Sequence, residues 1–317
     1  MLESKQKNRE VLLVCVEPGF GGQRIDNFLL RILKGVPRSY VYRILRRGEV
    51  RVNKGRKKVG YRLQEGDIVR IPPVRVAEEE VMPSVGKRQL EQLEQSIIYE
   101  DERLLVLSKP SGMAVHGGSG LSFGVIEAFR QLRPDQRQLE LVHRLDRDTS
   151  GCLLISKKRS ALRVLHELMR SNAIDKRYLA LVSGKWHGDK ADIDVPLLKN
   201  TLRGGERVVM VDPRGKQAQT RFRVRERFHR CTLLEARLMT GRTHQIRVHA
   251  AHLGTPILGD RKYGDQDANK AMHNQGLKRL FLHAESICFR WPDEKQDQVF
   301  QAPLETSLVN LLSSMKR

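Results

Sequence analysis

Between residues 76 and 95 the chain carries the acidic run Glu78-Glu79-Glu80, then Pro83 and Gly86, then a short polar helix. Proline and glycine punctuate a chain, and a block of like charge has no apolar face to bury. One hydrophobic core cannot run through such a stretch. The sequence therefore predicts two bodies joined by a linker at 84–95. The smaller, 23–83, follows an amino-terminal extension at 1–22, and the larger spans 96–317. A chain of 317 residues is long enough for both.

The two bodies differ in charge. The whole chain has 58 Lys/Arg against 37 Asp/Glu, a net of +21. From Arg24 to Arg75 there are 15 basic and 4 acidic residues, a net of +11. Roughly half the excess thus sits in about a sixth of the chain, which marks a footprint for a polyanion. Nucleic acid is the first candidate. An anionic membrane is the second, but no apolar run approaches the ~20 residues of a span. The opening MLESKQKNRE has no apolar segment after its charges, so it does not read as a secretory signal. Cys15, Cys152, Cys231 and Cys288 form no C-x-x-C pair and lie in apolar surroundings. They read as reduced core residues rather than disulfides or zinc ligands. A cytoplasmic location is expected from the missing signal and the cysteine pattern together.

Within the basic block, RIDNFLLRIL places Ile25, Phe28, Leu29 and Ile32 at helical spacing, and Gly35 and Pro37 punctuate its end. Ser39 is a candidate cap for a second helix, SYVYRILRRG, closed by Gly48. Val41, Ile44 and Leu45 form its apolar stripe. Arg43, Arg46 and Arg47 lie off that stripe, free to meet phosphates. EVRVN is a strand entering a turn at Asn53, Lys54 and Gly55, and GDIVRIP is a strand ended by Pro72-Pro73. In the larger body IIYEDERLLVLSKPSG reads as two strands joined by an acidic turn. SALRVLHELMR is an amphipathic helix through Leu162, Leu165 and Leu168/Met169. RYLALVSG, RFRVRERF and CTLLEARL alternate as strands, and RTHQIRVHAAHLG reads as a helix closed by Gly254. Strand signals outnumber helix signals, so the expected class is α+β with a mainly antiparallel sheet.

Familiar cofactor motifs are absent. There is no G-x-x-x-x-G-K-[ST] loop and no G-x-G-x-x-G after a strand, and the loop HGGSGLSFG matches neither. His244, His249 and His252 lack the H-E-x-x-H pattern, and 244 and 249 do not share a helical face. They read as core or RNA-facing residues, with no metal expected. HRLDRDTSG, residues 143–151, crowds Arg144, Asp146, Arg147 and Asp148 into a short stretch before the apolar run CLLIS. A carboxylate among guanidiniums is favoured in its ionised form, which can act as nucleophile or base. On spacing alone, a structural Arg–Asp pair capping a turn is the simpler reading.

HRLDRDTSG resembles the signature of the RluA-type family of RNA pseudouridine synthases. KRYLALV at 176–182, GRTHQIRVH at 241–249 and RLFLHAESICF at 279–289 resemble further motifs of that family, in its order. LSKPSGMAVHGG resembles the strand and loop that open its catalytic domain. The resemblance covers about residues 96–305. The basic region before it resembles an S4-type RNA-binding domain. Residues 187–219 and 266–276 match less clearly and support no site assignment.

The resemblance implies a pseudouridine synthase fold behind a small S4-type domain, and an isomerase that uses one carboxylate and no cofactor. Asp146 matches the essential aspartate. Whether that aspartate attacks the sugar, attacks the base or promotes a glycal stays open. Arg247 matches the arginine that pairs with it, Tyr178 the tyrosine beneath the uracil, and Leu282 an apolar residue on the base's other side. Arg144 matches the residue that fills the gap left by the extruded base. Arg38, Arg43, Arg46, Arg47, Lys54 and Arg56 are expected to contact RNA. Large-subunit ribosomal RNA is the expected partner, with no membrane, no required protein partner and a monomeric state. A non-catalytic RNA-binding protein would need only the basic domain, and a transfer RNA enzyme would keep the catalytic residues and change the substrate.

Overall fold

The computed structural model describes residues 11–33, 36, 38–74, 85–117, 123–136, 138–201 and 207–316, with Arg38, Thr201 and Arg207 described in their backbone alone. The acidic run 78–80, Pro83, the punctuating Gly35 and Pro37, the Arg38 side chain, the stretch MLESKQKNRE and the centre of the glycine loop at 118–122 lie outside the described residues. The chain divides into two compact units, residues 1–84 and 85–317.

The first unit contains β1 (Leu12–Cys15), α1 (Ile25–Ile32), α2 (Arg38–Arg46), β2 (Arg51–Val52) and β3 (Ile68–Ile71). The strands form an antiparallel sheet in the order β1-β3-β2. Ile25, Phe28 and Leu29 of α1 and Val41, Ile44 and Leu45 of α2 are buried against Val52, Val69 and Ile71 of the sheet. Burying each such side chain contributes about 1.5–3 kcal/mol. The turn after β2 holds Asn53 and Lys54 at φ 49° and 66°. Asn53 supports it by donating to Asp67 Oδ1 (2.8 Å) and accepting from the Ile68 N–H (2.9 Å).

Three expectations need correction here. Part of the stretch 1–22 is no mere extension: β1 pairs with β3 from Leu12↔Ile71 to Cys15↔Ile68, and Val16 is buried in the core. Cys15 is exposed rather than buried, because β1 is an edge strand whose side chains Leu12 and Leu13 are also exposed. Ser39 lies inside α2 and not at its cap, since the helix already begins at Arg38.

The second unit begins with α3 (Lys87–Gln95), β4 (Ile97–Glu100), β5 (Leu104–Lys109), α4 (Val125–Leu132), β6 (Glu140–Leu141), β7 (Ser150–Ser156), α5 (Arg159–Arg170) and β8 (Asp175–Ser183). It continues with β9 (Lys190–Asp194), β10 (Leu197–Thr201), β11 (Arg207–Val211), β12 (Gln219–Arg227), β13 (Cys231–Leu238) and α6 (Gln245–His252). α7 (Gln266–Asn274), β14 (Leu282–Phe289), β15 (Gln298–Gln301) and α8 (Thr306–Met315) complete it. α3 falls in the stretch read as a linker, yet Leu93 is fully buried in the same core as Phe129 of α4.

A ten-stranded sheet organises this unit, in the order β4-β5-β7-β14-β8-β13-β12-β9, with β15 beside β14 and β6 beside β7. Every pairing is antiparallel except β7 with β14. The class is therefore α+β with a mainly antiparallel mixed sheet, as the strand signals led one to expect. Both faces of its centre are covered. Leu105, Leu107, Leu153 and Ile155 enter one core, while Leu104, Val106, Cys152 and Leu154 enter the other with Leu162 and Leu165 of α5. Successive residues of a strand point to opposite faces, so a strand buried on both sides reads as the unbroken apolar run CLLIS.

Gly151 stands at the start of the parallel contact with φ +108°, where a Cβ would collide with the Ala284 carbonyl of β14. A glycine thus lets the end of HRLDRDTSG press directly on β14. α6 is shorter than expected, starting at Gln245 because His244 is left-handed (φ 54°, ψ 20°). The Gln245 side chain explains this. Its oxygen accepts from Thr240 Oγ1–H and the Arg242 N–H, and its amide donates to Gln219 O and Thr220 Oγ1. The turn 240–244 is wrapped around that buried side chain instead of continuing the helix.

Candidate active site

A cavity of about 380 Å³ opens on the second unit, lined by Arg144, Asp146, Tyr178, His244, Arg247 and Leu282 among others. The structure thus brings all five residues expected at the catalytic and substrate sites to one place. They come from the loop before β7, from β8 and β14 beside the parallel junction, and from α6.

The Asp146 loop is held from behind. Lys109 is fully buried, and its Nζ donates to Pro110 O (2.8 Å), Met113 O (2.7 Å) and Arg147 O (3.0 Å). The Gly112 N–H donates to Arg147 O, and the Ser111 hydroxyl to Asp148 O. Burial, helped by Arg279, pushes the Lys109 pKa down to about 7 against the pull of Asp148 and Asp146. His143, at the start of the loop, accepts from the Leu154 N–H, and burial pushes its pKa down to about 4. The LSKPSG turn therefore acts as a clamp on the Asp146 loop, a positional role for Lys109 that the sequence reading did not assign.

Arg247 sits in the first turn of α6, and its tight partner is not Asp146. Its Nε donates to Asp260 Oδ2 (2.7 Å) and its Nη2 to Asp260 Oδ1 (2.8 Å). Asp260 Oδ1 also accepts the N–H groups of Lys262 and Tyr263. Only Arg247 Nη1 is left to face Asp146 Oδ2, at 3.7 Å. The expected pair is thus an ion contact at long range, corrected by a buried fork that aims the guanidinium. Burial works against both charges. The hydrogen bonds between them nevertheless raise the pKa of Arg247 and hold Asp260 below the usual carboxylate range. Asp260 is preceded by Gly259 at φ +78°, where a Cβ would strike the Arg279 carbonyl. The segment GDRKYGD does show an Asp able to cap its own following N–H groups. Nothing in the spacing ties that Asp to an arginine thirteen residues earlier.

Tyr178 and Leu282 form apolar walls of the cavity, each almost fully buried. On β8, Tyr178 lies between Ala236 of β13 and Ala284 of β14 in register. Small neighbours leave the ring's face uncrowded. Burial, then the charge of Asp146, pushes the Tyr178 phenol pKa well above its usual value, so the phenol keeps its proton at neutral pH. Arg144 is exposed at the rim and has no hydrogen-bond or ion-pair partner among the described residues. His244 Nε2 lies 3.9 Å from Asp146 Oδ2. His249 is buried on Thr220, and His252 is exposed. Among the described residues no group of three or more His, Cys, Asp or Glu is placed to hold a metal ion, and no helix is long and apolar enough to cross a membrane.

In the first unit, exposed Arg43, Arg46 and Arg47 share a shallow cavity with Ser39 and Tyr40. The Arg43 guanidinium lies over the Tyr40 ring, 4.5 Å from its centre. Arg46 also borders a second hollow with Arg56, Lys57 and Lys58. The basic helix and the basic turn therefore share one surface, and Lys54 is exposed outside both hollows.

Comparison with known proteins follows the same division. Residues 103–252 match the family model described as RNA pseudouridylate synthase, and residues 23–69 match the S4 domain. A protein of Pasteurella multocida named ribosomal large subunit pseudouridine synthase C is 55% identical over 315 residues, covering 99% of this chain and 97% of the relative. The protein of that name from Escherichia coli K12 is 52% identical, covering 98% of this chain and 99% of its own. The solved structure of human RNA pseudouridylate synthase domain containing 4 superposes with a TM-score of 0.60 at 24% identity. That alignment covers 72% of this chain and 96% of the human one, a likeness of fold.

Proposed function

The chain belongs to the RNA pseudouridylate synthase family, and from that premise we propose that it isomerises uridines in large-subunit ribosomal RNA with the Asp146 carboxylate and no cofactor. The observation that carries this reading is Asp146 itself. Its side chain is 19% exposed in the cavity, beside an arginine that another carboxylate holds in place.

The isomerisation breaks the bond from the ribose carbon to uracil N1, turns the base and forms a bond from the same carbon to C5. The C5 hydrogen leaves and a hydrogen is gained at N1, so nothing is oxidised. The carboxylate supplies the one charged group this needs. Arg247 Nη1 adds positive charge where negative charge gathers. Tyr178 offers a flat face to the uracil, with Leu282 opposite. A phenol that keeps its own proton favours stacking for Tyr178; it can take the C5 proton only by passing its own on. Arg38, Arg43, Arg46, Arg47, Lys54 and Arg56 grip phosphates outside the chemistry, a sequence-independent contribution to affinity. One chain then carries both the RNA grip and the pocket residues, and the reading extends to a monomer working without a protein partner, in the cytoplasm.

The test is a pseudouridine map of total RNA from cells with and without this protein. Specific large-subunit positions are expected to revert to uridine and to return on complementation. Loss of pseudouridine confined to transfer RNA would change the substrate, and an unchanged map would reject the activity.

A target uridine in folded RNA must leave its stack, at a cost of about a few kcal/mol. Arg144, exposed at the rim with no hydrogen-bond or ion-pair partner among the described residues, has a guanidinium suited to stack in the gap. Stacking of a base on an aromatic ring is worth about 1–3 kcal/mol, which sets the scale for a stacked guanidinium. Arg144→Ala is therefore expected to slow single-turnover reaction about 10-fold or more on paired RNA, and much less where the uridine is already unpaired. Equal losses on both RNAs would make Arg144 a phosphate contact instead.

A further inference from the structure

Near Asp146, the Tyr263 hydroxyl sits between two nitrogens. The Val209 N–H of β11 donates to it at 2.9 Å, and His244 Nδ1 lies 2.7 Å away. A backbone N–H can only donate, so the phenol oxygen is the acceptor in the first contact. Its one hydrogen has no other acceptor among the described residues, which assigns it to His244 Nδ1. A neutral imidazole that accepts at Nδ1 carries its proton on Nε2. That nitrogen is the one turned toward Asp146 Oδ2.

The ring is fixed in place as well as in tautomer. Its backbone is left-handed, and it meets Tyr263 edge-on with centroids 5.5 Å apart. Burial lowers the His244 pKa, and Arg247 and Lys262 add to this against the pull of Asp146 and Asp260. The imidazole is therefore neutral near pH 7. Both neighbours of the carboxylate, His244 Nε2 and Arg247 Nη1, approach Oδ2. Oδ1 has no hydrogen-bond partner among the described residues.

We infer that His244, locked by Tyr263 as the Nε2–H tautomer, is a positioning residue that donates to Asp146 Oδ2 once RNA fills the pocket and leaves Oδ1 for the substrate. The gap of 3.9 Å is too long for a hydrogen bond. Bonds of this kind tighten in the substrate complex. The inference rests on Asp146 as the reacting carboxylate. It also gives the β10–β11 hairpin a part: through Val209 it sets the Tyr263 hydroxyl, and through that the histidine.

The tautomer can be read without any activity. In full-length protein labelled with 15N-histidine, long-range 1H–15N correlation near pH 7 is expected to show His244 with Nε2 protonated and Nδ1 bare. His244→Gln assigns the signal by removing it, and Tyr263→Phe should mix the tautomers. In single-turnover reactions at saturating enzyme, His244→Ala is expected to lose on the order of 10²-fold in rate with RNA affinity unchanged, the size of a misplaced reacting group. His244→Gln, whose amide N–H can stand in for Nε2–H, should recover most of that loss. An Nδ1–H tautomer in the wild type, equal losses for Ala and Gln, or a full rate for His244→Ala would overturn the inference. Asp146→Asn in the same assay separates the two readings. An inactive Asp146→Asn beside a fully active His244→Ala rejects only the histidine's part, whereas an active Asp146→Asn rejects the carboxylate's.

Discussion

Asp146→Asn is expected to abolish isomerisation, by at least about 10⁴-fold, while the protein stays folded and still binds RNA. The side chain keeps its shape and loses only its charge and one acceptor oxygen. Within the fold that charge carries little. Its two neighbours lie at 3.7 and 3.9 Å, and Arg247 keeps its full pairing with Asp260. The loop is held through its backbone, by Lys109 on Arg147 O and by the Thr149 N–H on Asp146 O. None of these bonds involves the carboxylate, so the melting temperature should move by no more than about 2 °C. The chemistry has no substitute, since no other carboxylate lines the cavity among the described residues. Release of hydrogen from C5 of labelled large-subunit RNA measures the rate. A variant within tenfold of the wild type would remove Asp146 from the reaction.

The second large effect falls on a residue that does not line the cavity. Asp260→Asn is expected to destabilise the protein by about 3–5 kcal/mol, because it leaves the Arg247 charge buried without its partner. The control is Arg247→Met combined with Asp260→Asn. The asparagine keeps an acceptor for the Lys262 and Tyr263 N–H groups, and the methionine fills the space without a charge. The double variant should be more stable than Asp260→Asn alone, yet remain inactive. Denaturant titration gives the stabilities, and independent, additive losses would contradict the fork. The pH dependence has a definite sign. The pKa of Asp260 is lowered in the folded state, so its contribution is complete above the unfolded value of about 4. It is lost as pH falls through the lower folded value. Asp260→Asn should therefore flatten part of the acid unfolding of the wild type.

Local patterns made much of this molecule legible. The stripes of α1, α2 and α5 recur every three or four residues, and β5, β8, β12 and β13 show as alternation or as short apolar runs. Such periodic signals are written in neighbouring residues and survive without knowledge of the rest. β1 carries a local signal too, the apolar run VLLVCV at 11–16, but its place as the edge of the first sheet rests on a partner more than fifty residues away. α3 looked like part of a linker because its polar face dominates its composition, while Leu93, with half-buried Leu90 beside it, anchors it in the core.

The residues of the site were named from motif resemblance, and their spacing alone would have left HRLDRDTSG as a capped turn. The amino-acid sequence by itself determined the basic first unit, the α+β class and the side chains available for chemistry, because charge and periodicity are properties of the chain. Only the tertiary structure decided which partner each side chain has. The parallel contact of β7 with β14 joins segments more than a hundred residues apart and carries Asp146 to Leu282 and Tyr178. The folding of 240–244 around Gln245 turns His244 toward Asp146, and the Gly259 bend brings Asp260 to Arg247. A charge pair or a tautomer is set by which groups meet in space when the chain packs, and hydrogen bonds across such distances leave no period in the sequence to read.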